Sequence, residues 1–225
     1  MRKNKELHEI ITADQTRDLG VTMQESLKFD HHIDSKVLKA NQMLGIISRN
    51  FINFDSSIII NLYKTLVRCY FDYAHTVWQP HKLRDIDKLE KVQKRATKLI
   101  PQVRNLSYPD RLKTLNLPTL HYRSIRGCLI EIFKLAHDHY DQKCKKKLLS
   151  IKNPGPLRRH PLTLEHNRYY NKQRKNFFYN KIINIWNKLP DFIVEAENIP
   201  LFKARLDKLF ITHDIFYHYR AEIRL

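Results

Sequence analysis

The sequence predicts a mainly α protein, a helical bundle carrying one short β-hairpin at its N-terminal end. Apolar residues recur at steps of three and four through most of the chain from His31 onward, the period of helices with one buried face. Only 4 glycines and 9 prolines occur among 225 residues, too few for a fold built from many tight β-turns. At this length the chain can form one or two domains with a sizeable core.

The hairpin is expected within residues 1–23. Leu7–Ile11 (LHEII) and Leu19–Met23 (LGVTM) read as two short strands, with polar residues between them as the turn. Two strands are not stable alone, so they need packing partners. Asp30 then caps a helix whose apolar face is Ile33, Val37, Ala40, Leu44 and Ile47, with Arg49 in its last turn. Asp55 caps a second helix. Its stripe of Ile59, Leu62, Leu66, Cys69 and Tyr73 is widened by Ile58, Tyr63, Val67 and Tyr70. A helix apolar on most sides is expected at the centre of the core.

Trp78 and Pro80 follow in a turn, and then comes the two-faced segment Asp85–Pro101. Ile86, Leu89, Val92, Ala96 and Leu99 form its apolar face. Lys88, Lys91, Arg95 and Lys98 repeat on another, with Lys94 beside them. Asp85 and Asp87 suit the first turn of a helix and Pro101 its end. Two readings compete: a solvated basic face on an ordinary core helix, or a cationic rail for a nucleic-acid backbone. Ser107, with Asp110 three residues on, caps a short helix. Thr119 caps a longer one with Ile125, Leu129, Ile132 and Ala136 on one face and Arg123 and Arg126 beside His121.

Residues 141–166 hold the charge run DQKCKKK and the Pro-rich KNPGPLRRHP, the pattern of a linker. Beyond it, Phe178, Ile182, Ile185 and Leu189 form a stripe with Trp186 adjoining, and Phe202, Leu206 and Leu209 form another. The tail from Ile211 is expected to fray or to need a partner.

A net charge of +18 and a pI near 9.8 are the main global facts. Such an excess opposes a compact state unless an anion offsets it, and nucleic acid is the commonest polyanion. Cys69, Cys128 and Cys144 form no CxxC pair and no disulfide framework, so a reducing compartment is expected. No run approaches the roughly 20 apolar residues of a membrane span, and no signal peptide is expected. The location expected is therefore intracellular, nucleus or cytoplasm, with no membrane partner. Chemistry is sparse. There is no carboxylate cluster for catalytic metals, no phosphate-binding glycine loop and no GxSxG. Asp14 and Asp18 read as a solvated turn. His137, His139 and Cys144 lack a fourth zinc ligand. No catalytic residue and no cofactor are expected.

Six segments in order resemble the region after the palm in non-LTR (LINE-type) retrotransposon reverse transcriptases of the jockey and CR1 kind. They are DLGVTMQESLKFDHHI (Asp18–Ile33), KANQMLGIISR (Lys39–Arg49) and LYKTLVRCYFDYAHTVWQP (Leu62–Pro80), then LEKVQKRATKLIP (Leu89–Pro101), SYPDRLKTLNLPTLHYRSIRGCLIEIFKL (Ser107–Leu135) and RKNFFYNKIINIWNKLP (Arg174–Pro190). The family's usual Pro-His-Leu-Glu-Tyr string is replaced here by Cys69, Tyr70, Phe71, Asp72 and Tyr73.

The resemblance implies that residues 1–23 are the end of a palm sheet otherwise missing, 24–140 a thumb-like helical domain, 141–166 a linker and 167–225 a C-terminal helical region. It also implies that the endonuclease domain, the fingers and the Mg2+-binding palm precede Asp18 and lie outside this chain. The expected role is that of a reverse transcriptase fragment binding RNA, DNA or an RNA–DNA template–primer, including its own element's RNA. Lys88, Lys91, Lys94, Arg95, Lys98, Arg123 and Arg126 are the expected backbone contacts. Two alternatives stand beside it. One is a non-functional or scaffolding helical protein. The other is part of an active RNA-directed DNA polymerase whose palm is encoded upstream in frame.

Overall fold

The computed structural model describes residues 13–51, 55–151, 160–166 and 177–223. It is mainly helical, with a two-stranded antiparallel hairpin at the N-terminal end, as the periodicities predict. Strands β1 (Gln15–Asp18) and β2 (Val21–Gln24) pair with Asp18 opposite Val21. The intervening Leu19 and Gly20 have φ of 43° and 77°, the two positive values of a turn whose twist suits a tight hairpin.

The first described strand lies in the polar stretch expected as the turn, and LHEII lies outside the described residues. All four β1 side chains are exposed, so β1 needs no apolar alternation. Only β2, with Val21 buried and Met23 half-buried, shows the core-facing pattern.

Helix α1 (Asp30–Asn50) follows Phe29, which has a φ of 58°. Asp30 is thus the first helical residue rather than the cap. Its buried face, Ile33, Ala40, Leu44 and Ile47, matches the sequence stripe. Helix α2 (Ser56–Leu62), a π turn (Tyr63–Val67) and α3 (Cys69–Asp72) then form one interrupted helix.

Its buried residues are Ile59, Tyr63, Val67 and Phe71, at strict steps of four. Steps of four run ahead of a 3.6-residue turn. A wider π turn in the middle returns the stripe to the core. Ile58, Leu66 and Tyr73 are exposed. This helix flanks the core and does not occupy the central place its composition suggests.

The short α4 (His75–Trp78) leads to α5 (Leu83–Lys98), α6 (Tyr108–Thr114) and α7 (Leu120–Ala136). The expected caps form: Ser107 Oγ accepts from the Asp110 amide and Thr119 Oγ1 from the Tyr122 amide, at 3.4 and 3.1 Å. Helix α7 holds the centre. It buries Ile125, Cys128, Leu129, Ile132 and Phe133 and packs against α4, α5 and the C-terminal helices.

One apolar cluster joins α1, the π turn, Trp78 and α5. A second surrounds α7 with α9 (Phe178–Trp186), α10 (Asp191–Val194) and α11 (Ile199–Phe210). On α9 the buried stripe is Tyr179, Ile182, Ile183 and Trp186, rotated by one residue from the expected one, with Phe178 and Ile185 half-buried.

Two segments expected to be loose hold packed residues among those described. Within 141–166, α8 (Gln142–Leu148) runs through the charge run, Leu149 and Leu164 are buried in the second cluster, and Ile151 bridges Leu164. In the tail, Ile215 and Phe216 are 1% and 8% exposed. Phe216 lies 4.9 Å from the Tyr122 ring. The tail finds its partner within the chain, because its apolar pair fills the flank of α7.

Candidate nucleic-acid interface

Helix α5 lies beside α1, and its polar contacts to α1 share one sequence offset. Lys88 pairs with Asp34, Arg95 Nη1 lies 3.3 Å from Asn41 Oδ1, and Arg84 lies 3.8 Å from Asp30. Each contact spans 54 residues, so the two helices run in the same direction, and their shared seam holds Ala40, Leu44, Val92 and Ala96. The apolar face read from the sequence is buried as expected at Ile86, Leu89, Val92 and Ala96. Burial also extends to Glu90, Gln93 and Thr97.

The expected cations divide into four groups. Lys91, Arg95 and Lys98 are exposed on one side of α5. Lys91 and Lys98 make no ion pair or hydrogen bond among the described residues. They span about 10 Å of helix at 1.5 Å per residue. Lys88 is half-buried and held by Asp34 and by Asp85 at 3.5 Å, and the Asp34 hydrogen bond raises its pKa.

Lys94 points elsewhere. Its ammonium sits over the rings of Tyr108 and Tyr219 at 5.1 and 4.7 Å and donates to the Tyr219 hydroxyl. It clasps the C-terminal segment to α5. Arg123 and Arg126 lie on α7, away from the exposed α5 face, and each grips a carboxylate through two nitrogens. Arg123 takes Asp72 and Arg126 takes Asp207. The Asp207 hydrogen bonds raise the pKa of Arg126.

These acidic partners, together with Tyr108 and Tyr219, are what the sequence left unseen, since each lies on another element. The extension of the stripe to Arg84 was visible in its four-residue step to Lys88.

Behind the exposed face, a buried polar network fixes α5. Glu90, 0% exposed, accepts from the Tyr108 hydroxyl at 2.5 Å and the His121 amide at 3.0 Å. Gln93 accepts from Tyr63 and donates to Tyr108 and the Pro118 carbonyl. Burial outweighs these bonds and pushes the Glu90 carboxyl up to about 7.

A cavity of about 170 Å³ opens between α4 and α7 and is lined by Asp72, His75 and Ser124 among others. The trio does not form a nucleophile and base. His75 Nδ1 meets the backbone carbonyl of Asp72, whose carboxylate is taken by Arg123, and neither His75 Nε2 nor Ser124 Oγ has a hydrogen-bond partner. Among the described residues no group of His, Cys, Asp or Glu could hold a metal ion, and no helix is long and apolar enough to cross a membrane. His137, from the weighed zinc string, instead stacks on Phe133 and bonds the Val194 carbonyl.

No family model, curated protein or solved structure matches the chain.

Proposed function

We propose that this chain is the thumb and post-thumb part of a LINE-type reverse transcriptase and binds the sugar–phosphate backbone of RNA or an RNA–DNA template–primer. The observation that carries the binding reading is the exposed face of α5. Lys91 and Lys98 stand there without acidic partners among the described residues, flanking Arg95, on a helix fixed from behind by the Glu90–Gln93–Tyr108 network. Cations held on a rigid element and not neutralised from within are suited to phosphates.

Lys91, Arg95 and Lys98 form the contact surface, and Lys88, paired with Asp34 and Asp85, braces it at the α1 seam. Lys94, Arg123 and Arg126 act as braces that hold its neighbours. The family part of the reading rests on the six ordered segments. Contacts of this kind give affinity without base readout, and no polymerase or endonuclease chemistry is assigned to these residues.

Filter binding of a short RNA hairpin and of duplex DNA at two salt concentrations tests the proposal. Affinity is expected to fall steeply with salt for both, and to weaken in Lys91→Gln/Lys98→Gln. A salt-independent affinity contradicts the backbone reading and favours a scaffolding protein.

A further inference from the structure

A second cationic cluster lies where the hairpin meets α1. Arg17 on β1 stands opposite Thr22 in the hairpin register. The Thr22 amide donates to His32 Nδ1 at 3.1 Å, so the ring's hydrogen is on Nε2. That N–H is buried and has no acceptor, although His32 is only 1% exposed.

Lys36, one turn further along α1, places its ammonium 5.9 Å from the ring centroid of Tyr73. The Tyr73 hydroxyl in turn donates to the Leu19 carbonyl at 2.7 Å, and its ring, 53% exposed, forms the floor between turn and helix. Lys39 adds a third cation. Burial and then the charges of Lys36, Arg17 and Lys39 drive the His32 pKa down to about 4. Burial, Lys39 and Arg17 likewise lower that of Lys36.

Four acids neutralise other cations: Asp34 holds Lys88, Asp72 holds Arg123, Asp87 holds Arg220 and Asp207 holds Arg126. None serves Arg17, Lys36 or Lys39, which form no ion pair among the described residues.

We propose that Arg17, Lys36 and Lys39, around the exposed ring of Tyr73, form a phosphate-binding site distinct from the α5 face. Like charges gathered without a counter-ion repel one another in the free protein. An anion with several acceptor oxygens meets donors from two elements at once and relieves that repulsion. The hairpin, weak by itself, is then fastened to α1 by the ligand. The site does not depend on the α5 face, and it takes either a free phosphate or a phosphate of a nucleic-acid strand.

The test is NMR titration of the full chain, following the His32 imidazole and the amides of Arg17, Lys36 and Lys39. Three probes are compared at matched ionic strength: inorganic phosphate, a 5′-phosphorylated thymidine dinucleotide, and chloride. Saturable shifts with the phosphate-bearing probes and not with chloride are expected. They weaken about tenfold or more in Arg17→Gln/Lys36→Gln/Lys39→Gln, as loss of charged phosphate contacts requires, and persist in Lys91→Gln/Lys98→Gln. The triple variant, relieved of repulsion, melts no lower than the parent at low salt. The exposed Lys39→Gln alone gives a smaller weakening and serves if the triple variant does not fold. Tighter binding of the dinucleotide assigns the site to a strand, and equal binding to a free anion. An equal response to chloride, or shifts unchanged in the charge-removed variants, overturns the proposal.

Discussion

At single positions, two side chains link packing to proton binding. A Cβ added at Gly127 would overlap the His75 imidazole, whose Nδ1 is tied to the Asp72 carbonyl. Gly127→Ala is therefore expected to cost about 1–3 kcal/mol, the usual penalty of overpacking, in denaturant melts. Most of the loss should return in Gly127→Ala/His75→Ala. Glu90 makes the pH prediction. Its folded pKa, about 7, lies above the ordinary value of 4.5, so the folded chain holds the proton more tightly than the unfolded one. The stability this group contributes is fully present below about pH 4.5 and is lost as pH rises through 7. His32 has the opposite sign. Its pKa falls from 6.5 to about 4, so its contribution is present above 6.5 and lost as pH falls towards 4. The two slopes largely offset each other in the parent. Glu90→Gln removes one of them, and its stability relative to the parent is expected to rise between pH 5 and 7, by roughly 2–3 kcal/mol at one pKa unit per 1.36 kcal/mol.

Among the elements, α5 and the tail divide the work between them. Arg220 grips Asp87 on the α5 surface while Phe216 and Ile215 enter the core. Exposed ion pairs contribute little and buried aromatics much, so Arg220→Ala should cost little. Phe216→Ala should cost about 3 kcal/mol and release the Tyr219 clasp on Lys94. Urea melts with Tyr219 followed by NMR separate the two. Much of this arrangement was legible in the sequence. The apolar stripes of α1 and α5 and the caps at Ser107 and Thr119 follow from local spacing, which a helix enforces by itself. β1 was not legible because it buries nothing. Nor was the π turn, because only tertiary packing demands that Ile59, Tyr63, Val67 and Phe71 share one face. The tail's docking depends on Tyr122 and Lys94, far away in sequence, and no local pattern announces such partners. The same reason explains why the seven expected binding cations did not stay together. Their spacing shows which face they share, but the acids that claim Arg123 and Arg126 come from other helices.

For the whole molecule, the net charge of +18 is the dominant feature. Carboxylates at the seams neutralise the cations that brace the fold, as at Lys88, Arg123 and Arg126, and leave others uncompensated at the surface. Such a molecule should gain stability from polyanions in general, so its melting temperature is expected to rise at low salt when heparin or RNA is added. Nucleic-acid backbone binding is proposed more narrowly, at the exposed face of α5. The most direct measurement is the salt dependence of binding to a short RNA–DNA duplex, for the parent and for Lys91→Gln/Arg95→Gln/Lys98→Gln. Weaker binding and a log–log salt slope shallower by about 1 for each phosphate contact removed are expected in the variant, with an unchanged melting temperature. Equal affinity and equal slope in the two proteins would contradict that proposal.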